Sequence, residues 1–165
     1  MYSIDLPYPE IKVQEKNSKY IDLILLNYSS AISGFDAIAQ YTYHQIALNY
    51  SNKEISDTLC GISIVEMHHL EMLWKIIILL GGEPGYWINN KKKNYWSSKL
   101  VNYDLSSIKD ILNIDIQDEK AAIKQYKETI TKIDDEYINA VLKRIILDEE
   151  FHIQLLVSLY SKYVQ

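Results

Sequence analysis

The chain has 165 residues and a formal net charge of −5, with 48% hydrophobic and 24% charged residues. This length supports one hydrophobic core, and the composition is that of a globular protein. The acidic balance excludes a nucleic acid or an anionic membrane as partner, because phosphate groups are bound by basic surfaces. Five glycines and three prolines are few, whereas a sheet-rich fold needs turn residues every 8 to 12 positions or so, at about one per strand. We therefore predict a single all-α domain, 1–165, with a few long helices.

Three further features limit the class of protein. Cys60 is the only cysteine, which excludes disulfide frameworks, paired-cysteine zinc sites and iron–sulfur clusters. The segment 1–10 has no positively charged stretch before an apolar one, so we do not interpret it as a signal peptide. The longest apolar run, 76–80, is far too short to span a membrane. We expect a cytoplasmic protein without a membrane partner.

Turn-forming residues divide the chain into four periodic segments. Ser51 and Asn52 separate the first two, a Gly- and Pro-rich run at 81–85 opens an irregular stretch, and Asp134 with Asp135 separates the last two. The resulting prediction is a surface tail at 1–17, helices at 18–50, 53–80, 105–133 and 136–163, and a crossover at 81–104.

The segments repeat in pairs. Apolar residues of the second helix recur at spacings of three and four and reappear 83 positions later in the fourth helix, as expected for faces packed in a bundle. The first and third helices match at an offset of 85, which indicates two copies of one helical hairpin. A simple up-and-down connection needs only about 2 to 8 residues, whereas 81–104 can run the length of the bundle. We predict a four-helix bundle whose two hairpins are joined by a long crossover.

Two E-x-x-H pairs lie in the middle of otherwise apolar faces. Glu66 with His69, and Glu149 with His152, have the i, i+3 spacing that places both side chains on one helix face. Glu119 adds a third inward carboxylate, and all three Glu lie 15 residues from a hairpin turn. A buried carboxylate costs several kcal/mol unless it is neutralised. Since these faces carry no Lys or Arg, we predict a metal site formed by the five residues.

The motifs that carry this pattern resemble a known superfamily. They are IVEMHHLE at 64–71, EKAAI at 119–123 and IILDEEFH at 145–152. They are similar to those of ferritin-like proteins of the rubrerythrin and manganese-catalase branch, and the resemblance extends over 20–163. It implies a ferritin-like fold with a dinuclear iron or manganese centre, bound by a Glu from each of two helices and an E-x-x-H pair from each of the others.

The resemblance also implies a role for each residue of the predicted site. Glu66 and Glu149 would be bridging or nearly bridging ligands. His69 and His152 would be terminal ligands, and Glu119 a terminal carboxylate.

The first helix departs from the family pattern. The family has a Glu seven residues before Tyr41, as Glu119 lies seven before Tyr126, but this sequence has Gly34. Asp36 is about 200° around the helix from Gly34 and should face away from the site. The glycine leaves two alternatives: an open position for water, substrate or an exogenous anion, or a second metal that is weakly held or absent.

Other polar and aromatic residues have less specific interpretations. Tyr41 and Tyr126 should lean toward the site, where each either hydrogen-bonds a ligating carboxylate or packs in the core. We interpret His68 as an interface or hydrogen-bonding group and His44 as structural. The tryptophans suggest a capped bundle end or a subunit contact; they are Trp74, Trp87 and Trp96.

The sequence supports functions of two classes. The first is an oxidoreductase that acts on peroxide or dioxygen, either as a catalase or as a peroxidase with an external electron donor. The second is a structural or metal-binding protein whose activity was lost with Gly34. Iron storage is a third option and would require a closed shell of many subunits. We also expect a homo-oligomer, in the simplest case a dimer.

Overall fold

The computed structural model describes residues 1–164. The helices are α1 (Ser18–Ser29), α2 (Gly34–Leu48), α3 (Lys53–Leu79), α4 (Ile108–Ile130) and α5 (Glu136–Tyr163). Two helical hairpins, α2 on α3 and α4 on α5, pack as a four-helix bundle, and α1 precedes α2 in the first position of the bundle. The predicted all-α fold class is confirmed. Among the residues described, none of the helices is long and apolar enough to cross a membrane.

The first bundle position is occupied by two helices, so the single helix predicted at 18–50 is not formed. Helix α1 ends at Ser29, and Ser33 caps α2 by accepting a hydrogen bond from the Asp36 amide at 3.2 Å. The Ser33 hydroxyl also donates to the Ser30 carbonyl at 2.7 Å. Serine side chains offer the backbone local hydrogen bonds that compete with a helix, and here they interrupt it. The consequence is that α2 begins at Gly34.

The second half of the bundle differs from the prediction at both ends of α4, which stops at Ile130 instead of 133. Helix α4 starts at Ile108, three residues later than predicted, because the Ser107 hydroxyl caps it through the Asp110 amide at 3.0 Å. Asp135 caps α5, which occupies the predicted range, Glu136–Tyr163. Both caps satisfy amides of the first turn that have no partner inside the helix.

The crossover between α3 and α4 is partly ordered by a short hairpin. Strands β1 (Trp87–Ile88) and β2 (Asn94–Tyr95) pair antiparallel. Farther along, the Asn102 amide donates to the Gln40 side chain at 3.1 Å. This hydrogen bond fixes the end of the crossover against α2.

The amino-terminal tail is tied to α5. The Ile4 amide and the Tyr8 hydroxyl donate to the two carboxylate oxygens of Asp148 at 2.8 and 2.6 Å. Arg144 donates to the carbonyls of Ile4 and Leu6 at 2.8 and 3.0 Å. A segment with little secondary structure is thus held by charge-assisted hydrogen bonds.

The interior has two apolar layers separated by a polar one. One layer includes Leu73, Ile76 and Leu142, and the other includes Leu59 and Leu156. On both α3 and α5, the residues between these apolar positions include the E-x-x-H pairs. The bundle therefore places the predicted site at its middle and covers it with hydrocarbon on two sides.

Candidate metal centre

The structure brings all five predicted residues together. Glu66 Oε1 lies 3.4 Å from Nδ1 of His69 and 3.3 Å from Nδ1 of His152. Glu149 also contacts both rings, with Oε1 3.4 Å from His69 Nδ1 and Oε2 3.2 Å from His152 Nδ1. The two glutamates of the E-x-x-H pairs therefore lie between the two imidazoles. All five side chains are at most 3% exposed; they are Glu66, His69, Glu119, Glu149 and His152.

The cluster is asymmetric. Glu119 Oε1 lies 3.3 Å from His152 Nδ1. One oxygen or nitrogen atom from each of four residues lies within 4.8 Å of the other three; the residues are Glu66, Glu119, Glu149 and His152. This spread is close to the one expected for the ligand atoms of one ion. His69 lies outside that set and contacts only Glu66 and Glu149 within it. The half of the cluster around His152 thus has three carboxylates, and the half around His69 has two.

The cluster has polar atoms that suit a metal ion. Glu66 Oε1 and His69 Nδ1 are buried and have no hydrogen-bond partner within residues 1–164. Buried polar atoms are normally paired, so atoms left unpaired in a cluster point to a ligand. Mixed carboxylate and imidazole donors suit iron and manganese. The buried Glu and His residues are consistent with the metal sites typical of ferritin-like proteins.

Protons and metal ions compete for this cluster. Burial alone lowers the pKa of His69, but the charges of Glu66 and Glu149 raise it well above its ordinary value. His152 behaves in the same way, with Glu119 as the main neighbour that raises its pKa. Burial, together with the charge of Glu149, raises the pKa of Glu119 well above its usual range. Protons on both rings and on one carboxyl would balance the metal-free cluster, so binding of a cation must displace them.

Asp148 is a candidate functional residue that the sequence pattern does not reveal. Its Oδ2 lies 3.0 Å from His69 Nε2, and Arg144 Nη1 lies 2.8 Å from its Oδ1. Burial raises the pKa of Asp148, but the hydrogen bonds from His69, Tyr8 and Arg144 hold it below its usual range. Because a carboxylate accepts the proton on Nε2, Nδ1 of His69 is the nitrogen that is free to face a metal.

The two tyrosines near the cluster differ. Tyr41 donates a hydrogen bond to Glu119 Oε1, which is the first of the two roles considered for it. Tyr126 is 2% exposed and lines the same interior cavity as Glu149, but no residue of the described chain is its hydrogen-bond partner. Burial raises the pKa of both hydroxyls well above the ordinary value, so both stay protonated.

Position 34 faces the cluster, as the sequence pattern predicts. A Cβ atom added to Gly34 would lie 3.6 Å from Glu66 Oε2. Asp36 does not replace the missing carboxylate, because its Oδ1 accepts a hydrogen bond from Trp96 Nε1 at 2.6 Å. Burial raises the pKa of Asp36 to about 6. Helix α2 therefore contributes no carboxylate to the cluster within the described residues.

The remaining histidines lie outside the cluster. The ring of His68 packs edge-on against Tyr8 at 5.5 Å between centroids, and its side chain is 62% exposed. His44 is buried between Asp115, at 3.0 Å from Nδ1, and the Asn102 carbonyl, at 3.1 Å from Nε2. Both positions agree with non-ligand roles.

A family model for the ferritin-like domain matches residues 34–163. The chain belongs to this family. A comparison with curated protein sequences finds no significant match.

Solved structures show the same fold. The manganese catalase KatB from Anabaena is 22% identical with a TM-score of 0.85, covering 98% of this chain and 80% of that one. The bacterioferritin of Desulfovibrio desulfuricans is 24% identical, with a TM-score of 0.73 and coverages of 87% and 79%. Bacterioferritin BfrA of Mycobacterium tuberculosis is 22% identical, with a TM-score of 0.72 and coverages of 90% and 90%. The likeness first inferred from the three motifs is confirmed.

Proposed function

We propose that this protein is an oxidoreductase with a dinuclear iron or manganese centre that acts on peroxide or dioxygen. The observation that carries the proposal is the position of Glu66 and Glu149, each within 3.4 Å of both imidazole Nδ1 atoms. Each of these two carboxylates lies between the two imidazole nitrogens. This arrangement fits two ions, one at each imidazole and both bound by the shared carboxylates, better than it fits one ion. Bound iron or manganese would supply the redox chemistry.

The protein residues have distinct roles in this proposal. Glu66 and Glu149 would bridge, His69 and His152 would each hold one ion, and Glu119 would hold the ion beside His152. Tyr41 orients Glu119 by donating to Oε1. The apolar layers above and below the cluster keep bulk water away, which strengthens every charge interaction inside.

The two variants of the activity have different requirements. A catalase reaction needs only hydrogen peroxide, whereas a peroxidase also needs an external electron donor. The structural likeness to a protein described as a manganese catalase supports the first variant.

A metal-binding protein without catalytic activity is the second candidate. Gly34 favours it, because the half of the cluster around His69 lacks one carboxylate. In that case the set of Glu66, Glu119, Glu149 and His152 would hold one ion.

Metal analysis after anaerobic reconstitution separates the two candidates. We expect two iron or manganese ions per chain and oxygen release from hydrogen peroxide, with Glu149→Ala and His152→Ala losing both. Glu150→Ala is the matched control, since Glu150 is exposed and makes only a surface contact of 3.8 Å with Lys127. One ion per chain without turnover would establish the second candidate.

A further inference from the structure

Three polar residues of α2 bind the crossover. Asp36, Gln40 and His44 follow one another at a spacing of four, which places them in a row on one side of the helix. Asp36 accepts a hydrogen bond from Trp96 Nε1 at 2.6 Å, and Gln40 accepts one from the Asn102 amide at 3.1 Å. His44 Nε2 lies 3.1 Å from the Asn102 carbonyl. The row therefore holds the crossover at two points, Trp96 and Asn102.

The contact at Asn102 depends on a buried carboxylate of α4. The two oxygens of Asp115 lie 3.0 and 3.3 Å from His44 Nδ1, and Gln40 Nε2 donates to Asp115 Oδ1 at 3.2 Å. Asp115 and His44 are 0% exposed, and Gln40 is 3% exposed. Each polar atom of a buried network needs its partner, because no water replaces a partner that is lost. Asp115 thus orients the two side chains that clamp the backbone of Asn102.

A doubly protonated ring donates to both acceptors beside His44. After loss of one proton, one ring nitrogen turns a lone pair toward an acceptor. The charged Asp115 carboxylate is the stronger acceptor, so the remaining proton stays on Nδ1. Nε2 then faces the Asn102 carbonyl oxygen without a hydrogen between them, and the two atoms repel each other. Loss of one proton therefore breaks the contact with the crossover and keeps the contact with α4.

The groups that face His44 come from three elements. On α4, Asp115 is in contact and Asp118 is the next carboxylate. The crossover supplies the Asn102 carbonyl, and α2 supplies the ring of Tyr43, at 6.0 Å between centroids. Burial lowers the pKa of His44, but Asp115, the Asn102 carbonyl and Asp118 raise it above its ordinary value. The contact is thus fully formed below the unfolded-state pKa of about 6.5 and is lost as the pH rises through the higher folded-state value.

The attachment at Trp96 responds differently to pH. Burial raises the pKa of Asp36 to about 6, so above that pH its carboxylate is ionised and accepts the indole hydrogen bond most strongly. Between the two attachments, residues 97–100 are exposed, and segments with few buried contacts open most readily. Above neutral pH the crossover is therefore held firmly at Trp96 and weakly at Asn102.

We propose that His44 is a pH-operated latch: when its ring loses a proton, the chain around Asn102 separates from α2, while Trp96 stays bound to Asp36. Gln40 then loses the partner of its amide oxygen. Asp36 and Gln40 also line the cavity beside the buried cluster, so opening of the latch loosens one wall of that cavity. The latch itself needs no bound metal ion.

Hydrogen exchange measured by NMR tests the latch, with each exchange rate compared with that of an unstructured peptide at the same pH. Between about pH 6 and pH 9 we expect the protection of the Asn102 amide to fall about tenfold or more as the His44 ring titrates. The indole N–H of Trp96 should keep its protection. The amide of Leu142, in the apolar core of α5, should also stay protected, because the bundle remains folded.

His44→Gln removes the group that titrates. We expect the protection of the Asn102 amide in this variant to be the same at both ends of the pH range. His68→Gln is the matched control, since the side chain of His68 is 62% exposed and its loss should leave the full pH response of the wild type. An Asn102 protection that is constant in the wild type, or that falls equally in His44→Gln, would overturn the latch.

Two further outcomes would contradict the proposal. Loss of protection at Trp96 together with Asn102 would overturn the one-sided opening, and a parallel loss at Leu142 would show unfolding of the bundle in place of a latch. The wild type is decisive even if His44→Gln does not fold. The midpoint of the change in Asn102 protection must coincide with the midpoint of the His44 ring shift, and separate midpoints would overturn the latch.

Discussion

At the scale of single residues, the proposed function depends on how each predicted ligand is held as much as on the ligand itself. Asp148 fixes the proton of His69 on Nε2, and Tyr8 and Arg144 fix Asp148. Hydrogen-bond partners of this kind commonly change metal affinity by about 10- to 100-fold.

We predict that Asp148→Asn weakens metal binding at the His69 half of the cluster by about tenfold or more. An amide accepts a hydrogen bond from the imidazole less strongly and loses the ion pair with Arg144. Competition with a chelator of known affinity measures the effect. Asp57→Asn is the control, since Asp57 pairs only with Lys53 on the surface. Equal metal affinity in the two variants would contradict the role of Asp148.

The five cluster residues could be predicted because each signal is local to one helix. An i, i+3 pair in the middle of an apolar face is visible in the sequence, as is its distance from a hairpin turn. Asp148 could not be recognised in this way, because its partners Ile4 and Tyr8 lie 144 and 140 residues away. Periodicity gives no information on contacts made by an irregular tail.

At the scale of secondary-structure elements, the crossover and the break between α1 and α2 both bear on the site. The break between α1 and α2 was not predicted, because the apolar pattern is helical on both sides of it. The local signal was Ser33 followed by Gly34, since serine is a preferred helix N-cap. The interruption matters because α2 starts at the residue that faces Glu66.

His44 joins the crossover to α2 and α4. Both ring nitrogens face acceptors, the Asp115 carboxylate and the Asn102 carbonyl, and this arrangement favours the doubly protonated ring. Burial lowers the pKa of His44, but the hydrogen bond and charge of Asp115 raise it above its ordinary value, and Asp118 adds to this.

A pH dependence of stability follows from the raised pKa of His44. The stabilisation is fully present below the unfolded-state pKa of about 6.5 and is lost as the pH rises through the higher folded-state value. We predict that His44→Gln lowers the free energy of unfolding by about 1.5–3 kcal/mol at pH 6 and by less at pH 9. Urea unfolding at the two pH values measures the difference. A cost that is the same at both would show that the ring is neutral in the folded protein.

At the scale of the whole molecule, α3 leaves an apolar stripe uncovered. Ile64, Met67, Trp74 and Ile78 are 60%, 49%, 44% and 47% exposed. Their spacings of three, seven and four match the seam between two packed helices. Exposed apolar patches of this kind commonly mark protein interfaces.

We predict that the protein forms a homodimer through this stripe. Trp74→Glu should then shift the population to monomer, because a charge would be buried at the centre of the contact. Sedimentation velocity at micromolar concentration measures the change. Leu147→Glu, at an exposed apolar position on α5, should leave the dimer intact. A wild type that sediments as a monomer would contradict the prediction.

The contact between the tail and Asp148 has a consequence for biosynthesis. Ile4 and Tyr8 are made 144 and 140 residues before Asp148. Asp148 must therefore leave the ribosome before the tail can dock. His69 acquires its fixed orientation only then, so we expect metal to bind on the His69 side only after Asp148 has been made.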